Sequence, residues 1–279
     1  MRKSHVLILA AIAALPVAAT PALAEEAAAT APAPDYTLTA NVNLASQYRF
    51  RGLEQTWGQP ALQGGADYVH SSGFYLGTWA SNVSGNTYAG GNLEVDYYGG
   101  YNGKINDDLG WTVGGYGYAY PGANNNKQAT PGAASQKYDN FEINGGANWK
   151  WLSYKLSYAT TDYFGANTNT GYTAGTKGTT YQDLSANYPI TDDLTLNAHV
   201  GHTHYKANYL VGGVAMNPSY TDYKLGITKT FKDGWNVSAA YIKASNDGVY
   251  KNTQGLSRTA ADLRDVNKAT LVVTAGRTF

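Results

Sequence analysis

Charged side chains recur at every second position in parts of the sequence. Arg49 and Arg51 are two residues apart, and so are Glu94 and Asp96. In a β-strand, residues two apart face the same side. Such groups can hold an ion, polarise a passage or neutralise one another. Which of these they do depends on the elements that position them.

Histidines form a second group with chemical potential. His199 with a serine on a neighbouring strand would suit a hydrolase, and His202 with His204 would offer two ligands to a metal ion. The sequence has no G-x-S-x-G motif and no cysteine. We therefore expect no catalytic residue, metal or cofactor and interpret these histidines as ring-bearing interfacial residues. The hydrolase and the metal site stay as alternatives.

The composition narrows the class of protein. Charged residues make up 14% of the 279 residues, and 20 basic residues balance 20 acidic ones. This balance argues against a nucleic-acid partner, which requires a basic surface. The absence of cysteine excludes a disulfide scaffold. With 32 glycines and 24 tyrosines, the composition is typical of a β-rich protein with one apolar face.

The N-terminus has the features of a secretory signal peptide. Arg2 and Lys3 precede an apolar stretch, and a small-residue motif ends at Ala24. We expect residues 1–24 to be a signal peptide, cleaved after Ala24. Residues 25–35 form an Ala/Pro-rich lead-in that we expect to be disordered.

The rest of the chain, residues 36–279, alternates between apolar and polar residues. This period of two predicts strands with one apolar and one polar face. Twelve segments show it, the first running through Arg51: 36–51, 60–70, 73–83, 92–102, 109–120, 138–149, 151–163, 179–189, 194–206, 219–231, 235–246 and 266–279.

Short and long connections alternate between these segments. Outer-membrane barrels have short periplasmic turns and longer outer loops. We therefore predict an all-β fold: a single antiparallel up-and-down transmembrane β-barrel of about twelve strands over residues 36–279. A soluble sandwich is the alternative, but its connections need not alternate in length. The loops 121–137 and 247–265 are long enough to fold inward.

Aromatic residues on the apolar faces lie close to the segment ends, where interfacial girdles occur. The predicted membrane-interface residues are Tyr36, Tyr48, Phe50, Tyr158, Tyr188, Phe231, Trp235 and Tyr241. The terminal Phe279 follows an alternating strand and is similar to the assembly signal of outer-membrane barrels.

Several stretches within residues 36–150 resemble, in the same order along the chain, a protein family of Gram-negative bacteria. They include Tyr48-Arg49-Phe50-Arg51-Gly52, Gln55-Thr56 and Glu94-Val95-Asp96. The sequence is similar here to the TorF-family porins, formerly a domain of unknown function. The resemblance implies a roughly twelve-stranded outer-membrane barrel and a channel, and it brings no catalytic residues.

If the barrel prediction holds, the polar faces line its interior. The predicted pore-lining residues are Arg49, Arg51, Asp67, Glu94, Asp96, Glu142, Lys155, Asp183, Asp222, Lys224 and Lys268. One hypothesis is a transverse field, in which Arg49 and Arg51 oppose or pair with Asp67, Glu94 and Asp96. The alternative is that interior charges pair only to satisfy one another.

We expect the role to be passive diffusion of small hydrophilic solutes or ions across the bacterial outer membrane. The alternatives are a plugged structural or adhesive barrel acting through its loops and a barrel-embedded hydrolase. The expected partners are outer-membrane lipid, the barrel-assembly machinery through the C-terminal strand, and small solutes or ions. The sequence leaves the oligomeric state open.

Overall fold

The computed structural model describes residues 34–257 and 262–279. The predicted signal peptide and all but the last two residues of the lead-in lie outside these ranges. Twelve long strands form the wall of the molecule: β1 (Tyr36–Ala45), β2 (Ala61–His70), β3 (Phe74–Asn82), β4 (Leu93–Lys104), β5 (Leu109–Ala119), β6 (Asn140–Trp149), β7 (Leu152–Ala159), β8 (Thr180–Thr191), β9 (Leu194–His204), β10 (Tyr220–Thr230), β11 (Trp235–Ala244) and β12 (Thr270–Thr278).

The strands close into a barrel. Each strand pairs antiparallel with its neighbour in sequence, and β1 pairs with β12 from Asn41 opposite Thr278 to Ala45 opposite Thr274. Closure satisfies the backbone donors and acceptors that a sheet edge would expose. The predicted fold, an antiparallel up-and-down barrel of twelve strands, is confirmed. Within the described ranges, no helix is long and apolar enough to cross a membrane.

The alternation of residue types builds two different faces. Large apolar side chains point outward and are exposed, with Leu38 at 64%, Leu62 at 62% and Leu225 at 60% of their surface. The residues between them point inward and are polar, small or tyrosine. An exposed apolar band around a closed barrel suits a lipid environment rather than water.

The connections differ at the two ends of the barrel. Five short turns, the start of β1 and the end of β12 lie at one end, which we call the short-turn end. Six longer connections lie at the other end, the long-loop end. The longer connections carry short elements of their own: paired strands Arg49–Phe50 with Leu53–Glu54, Tyr209–Val211 with Val214–Met216, and Thr253–Gln254 with Leu263–Arg264; 3-10 helices Asn125–Lys127, Tyr163–Gly165 and Thr168–Thr170; and the helix Asp247–Tyr250. One further 3-10 turn, Lys232–Gly234, lies at the short-turn end.

The first strand is shorter than its alternation predicted. β1 ends at Ala45, although apolar and polar residues continue to alternate through Arg51. The chain bends at Ser46, whose hydroxyl accepts from the Val273 N–H of β12. Residues 46–60 then turn into the barrel, so that the alternation beyond Ala45 does not distribute side chains between lipid and interior.

Candidate functional site

The segment 46–60, which we call the interior hairpin, is the central feature of the barrel interior. Arg49 pairs with Glu54 and Phe50 with Leu53, so Arg51 and Gly52 form a two-residue turn. Both turn residues have positive φ angles, 46° and 78°, as such tight hairpin turns require. A Cβ at Gly52 would lie 2.6 Å from the Asp222 Cβ, so only glycine fits at this tip.

Arg49 holds the hairpin to the β12 side of the barrel. Its guanidinium donates to the Val266 carbonyl (2.8 Å) and to the Thr270 hydroxyl (3.0 Å). It also lies 3.6 Å from the carboxylate of Glu54, which accepts from Arg264 at 2.7 Å. Glu54 is 1% exposed. These contacts give Arg49 a positioning role within the hairpin and its neighbouring loop.

Arg51 anchors the tip of the hairpin to the opposite side of the barrel. It donates to both carboxylate oxygens of Glu142 on β6, at 2.9 and 2.7 Å. It also donates to the Tyr163 hydroxyl (2.7 Å), and its guanidinium lies 4.0 Å from the centroid of the Tyr181 ring on β8. Burial raises the pKa of Tyr163 to about 12, which keeps this hydroxyl neutral beside the guanidinium.

The partners of the two arginines correct the pairing part of one sequence-based hypothesis, while the transverse field across the interior stays a prediction. Arg49 pairs with Glu54 and Arg51 with Glu142, rather than with Asp67, Glu94 or Asp96. The bidentate fork of Arg51 reaches both oxygens of the buried Glu142 carboxylate, and the Asn140 amide donates to one of them as well. For the two arginines, the contacts follow the alternative in which interior charges pair to satisfy one another.

A wall of tyrosines faces the hairpin from β3, β4 and β5. The rings of Tyr98 and Tyr116 stack with centroids 4.9 Å apart, and Tyr48 packs edge-on against Trp79 at 5.4 Å. Together with residues of the hairpin and the long loops, these side chains form one buried aromatic cluster: Tyr48, Tyr75, Trp79, Tyr88, Tyr98, Tyr116, Tyr118, Tyr120 and Tyr138. These side chains fill the part of the interior between the hairpin and the wall.

Three acids belong to this tyrosine wall. The Tyr98 hydroxyl donates to Asp67 at 2.7 Å. Glu94 accepts from the Tyr48 hydroxyl, and Asp96 accepts from the Tyr116 hydroxyl. The hydroxyl of a tyrosine is therefore the donor that reaches each of these acids.

A histidine network occupies the facing wall, on β8, β9 and β10. His199 lies between two carboxylates, with Nε2 2.8 Å from Asp222 Oδ1 and Nδ1 3.2 Å from Asp183 Oδ1. Carboxylates only accept, so this geometry suits a ring that carries protons on both nitrogens. The network is a compact array of charges in which each member has a partner.

Ser185 stands directly opposite His199 in the β8–β9 register, as the hydrolase alternative requires. Its hydroxyl lies 2.9 Å from His199 Nδ1 but donates to Asp183 at 2.6 Å. A serine nucleophile must instead give its proton to the histidine ring. The observed contacts thus favour a structural role for this cluster. His202, on the outward face, lies 3.0 Å from the Thr221 hydroxyl.

The remaining predicted pore-lining residues fall into two groups. Lys155 on β7 and Lys224 on β10 lie on inward-facing positions, with Lys155 opposite Asp183 and Lys224 opposite His199 in the strand registers. Lys268 is exposed and precedes β12 by two residues, so it is not part of the barrel wall.

Two of the predicted membrane-interface positions are wrong. Tyr48 is 5% exposed, and its hydroxyl contacts Glu94 inside the barrel. Phe50 packs against Tyr118 and Phe164 with ring centroids 5.5 Å away. Both follow the bend of the chain at Ser46 into the interior. The other six predicted interfacial residues are exposed on the barrel surface: Tyr36, Tyr158, Tyr188, Phe231, Trp235 and Tyr241.

Several residues of the interior were not predicted from the sequence. Tyr98 and Tyr116 continue the inward parity of their strands, so the alternation could have identified them. Tyr163 comes from a loop, and its approach to Arg51 has no local signal in the sequence. Tyr181 shares the face of Asp183, and its hydroxyl reaches the Asp222 carboxylate.

The barrel is closed, with apolar residues outside, polar residues inside and a hairpin folded into the interior. These features define the class of protein: an antiparallel β-barrel whose exterior suits lipid. A family model described as "Bacterial protein of unknown function (Gcw_chp)" matches residues 27–279. The chain belongs to this bacterial family. No curated protein matches the sequence.

Three solved structures are similar to this chain to different degrees. The NanC porin has a TM-score of 0.50 at 11% identity, over 87% of this chain and 99% of that chain. The KdgM porin has a TM-score of 0.47 at 9% identity, over 86% and 98%. The COG4313 outer membrane channel from Pseudomonas putida F1 has a TM-score of 0.47 at 14% identity, over 89% and 97%. At 11% identity the likeness to the NanC porin concerns the fold alone.

Proposed function

We propose that this chain is a porin of the bacterial outer membrane, through which small hydrophilic solutes or ions diffuse passively. The observation that carries this proposal is the closed barrel itself, with an exposed apolar exterior and an interior lined by polar and charged side chains. A barrel of twelve strands lies between those filled by side chains and those with wide channels. The proposal includes no catalysed reaction, metal or cofactor.

Several features support an outer-membrane location. Exposed aromatic residues lie near the strand ends, where lipid headgroups would contact them. The C-terminal strand β12 closes the barrel, and Phe279 after it is exposed, as recognition by the barrel-assembly machinery would require. The predicted signal peptide and the resemblance to TorF-family porins agree with this location.

In this proposal the interior hairpin forms the constriction. It crosses from the β1–β2 side to Glu142 on β6 and Asp222 on β10. Towards the short-turn end, the inward residues of several strands are small and polar, for example Thr39, Asn148, Ser153 and Asn197. A solute would therefore meet a narrow, charged passage beside the hairpin and a neutral polar vestibule beyond it.

A plugged barrel that acts through its loops is the second candidate. The packing of tyrosines against the hairpin favours it, because these rings occupy much of the interior. The outer loops also bind one another, since the Leu256 N–H donates to the Asn86 carbonyl and the Ala129 N–H donates to the Leu256 carbonyl.

Single-channel conductance distinguishes the two candidates. The refolded mature protein, residues 25–279, is inserted into a planar bilayer after its heat-modifiable gel shift shows that it is folded. We expect discrete steps from the wild type and larger steps from a variant in which Arg49–Glu54 is replaced by two glycines. Conductance only in the shortened variant would support the plugged barrel, and no conductance in either would overturn the porin.

The reversal potential in a salt gradient then tests the interior charges. We expect Lys224→Glu to shift it towards cation selectivity, because Lys224 faces the interior. Lys268→Glu is the matched control, since Lys268 lies outside the wall. Equal reversal potentials in the two variants would contradict a role for Lys224 in selectivity.

A further inference from the structure

Glu94 and Asp96 form a pair of buried carboxyl groups on one face of β4. They are 1% and 2% exposed, and the two groups interact electrostatically. Glu94 Oε1 accepts from the Tyr48 hydroxyl at 3.3 Å, and Asp96 Oδ2 accepts from the Tyr116 hydroxyl at 2.9 Å. Their other oxygens, Glu94 Oε2 and Asp96 Oδ1, have no hydrogen-bond partner.

Tyr120 brings a third unsatisfied oxygen to the same place. It is 3% exposed, and its hydroxyl also has no hydrogen-bond partner. It comes from the loop after β5, where it stacks on Tyr88 at 3.9 Å between centroids and interacts electrostatically with Glu94. The loop after β5 thus places the buried Tyr120 hydroxyl near the carboxyl pair of β4.

Within residues 34–257 and 262–279, no lysine or arginine forms an ion pair with Glu94 or Asp96. Arg49 is engaged by Glu54, and Arg51 is held by Glu142. The charged or polar groups that act on Glu94 and Asp96 are tyrosines and Glu142. Two buried carboxylates side by side are strongly unfavourable unless a proton or a cation neutralises them.

We propose that Glu94, Asp96 and Tyr120 bind a hard divalent cation, Ca²⁺. The donors are all oxygens, and two carboxylates match the charge of the ion. Ca²⁺ accepts irregular oxygen geometry, whereas Mg²⁺ prefers a strict octahedron and keeps several of its waters. Because the site links β4 to the loop after β5, bound Ca²⁺ ties this loop to the wall. This inference does not depend on whether the barrel conducts.

Terbium luminescence tests the proposal, because Tb³⁺ replaces Ca²⁺ and emits when a neighbouring tyrosine or tryptophan is excited. The mature chain is refolded with Tb³⁺ present, since the carboxyl groups are buried. We expect tyrosine-sensitised emission from the folded wild type and its loss on competition with excess Ca²⁺. Mg²⁺ at the same concentration should displace much less Tb³⁺.

Variants locate the ion. Glu94→Gln with Asp96→Asn should abolish the sensitised emission, and Tyr120→Phe should weaken Ca²⁺ competition several-fold. Asp67→Asn is the matched control, since Asp67 faces the same interior but accepts from Tyr98, and it should leave the emission unchanged. A gel shift verifies that each variant is folded. Wild-type protein without Ca²⁺-sensitive emission, or equal emission from the Glu94/Asp96 double variant, would overturn the site and favour a shared proton.

Discussion

Two pairs of buried charges inside the barrel are built in opposite ways. Arg51 comes from the interior hairpin and Glu142 from β6. Their oppositely charged groups meet through two hydrogen bonds. Glu94 and Asp96 come from one strand, where the period of two forces like charges onto the same face. The first pair is complete within the protein, whereas the second needs a neutralising partner.

The difference shows what a barrel wall can and cannot adjust. A strand fixes the face on which each side chain lies, so Glu94 and Asp96, two residues apart, share one face in every register. A hairpin folded into the interior can place a charge where the wall needs one. The interior hairpin does this for Glu142, and its short Arg51-Gly52 turn sets how far it reaches.

Breaking the complete pair should have the largest effect. Glu142→Gln leaves the Arg51 guanidinium buried beside a neutral side chain, and removal of one partner of a buried pair costs about 3–5 kcal/mol. We expect the urea midpoint of the gel-shift transition to fall accordingly. The double variant Arg51→Met with Glu142→Met should be less destabilised than Glu142→Gln, because no charge is left unpaired. A double variant as unstable as the single one would contradict the pairing argument.

The position of the hairpin provides the next test. Gly52→Ala places a Cβ 2.6 Å from the Asp222 Cβ at a φ of 78°, which combines backbone strain with overpacking. Strain of about 1–2 kcal/mol and overpacking of about 1–3 kcal/mol are typical. Gly213→Ala is the matched control, since Gly213 has a φ of 84° and nothing within 4 Å of an added Cβ. We expect equilibrium unfolding in urea to show a clearly larger loss for Gly52→Ala, and equal losses would mean that the tip is not tightly packed.

The sequence predicted the wall of the barrel better than its interior. Strand faces depend on local alternation, so the inward orientation of Glu94, Asp96 and Glu142 followed from parity alone. The number of strands followed from the count of alternating segments, and the up-and-down topology followed from the alternation of short and long connections. Both are properties of neighbouring residues along the chain.

The interior hairpin could not be predicted in the same way. Tyr48, Arg49 and Phe50 continue the alternation of β1, and the turn residues Arg51-Gly52 lack the Asn-Gly or Asp-Gly pattern that typically indicates a tight hairpin. The partner of Arg51 lies 91 residues away in sequence. Which charges pair across an interior is set by tertiary packing, and the sequence alone contains no local signal for it.

Neutralising the incomplete pair should change stability in the opposite direction. In the presence of a chelator, Glu94→Gln with Asp96→Asn removes two like charges from a buried site, so we expect a gain of about 1 kcal/mol in the free energy of unfolding. The side chains keep their size, and the new amides can donate to the oxygens that now lack a donor. Urea unfolding with and without Ca²⁺ measures this difference. In chelator, the free energy of unfolding of the variant should exceed that of the wild type. Added Ca²⁺ should stabilise the wild type alone. A variant less stable than the wild type in chelator would mean that the carboxylates stabilise the barrel without a cation, and the contrast between the two pairs would fail.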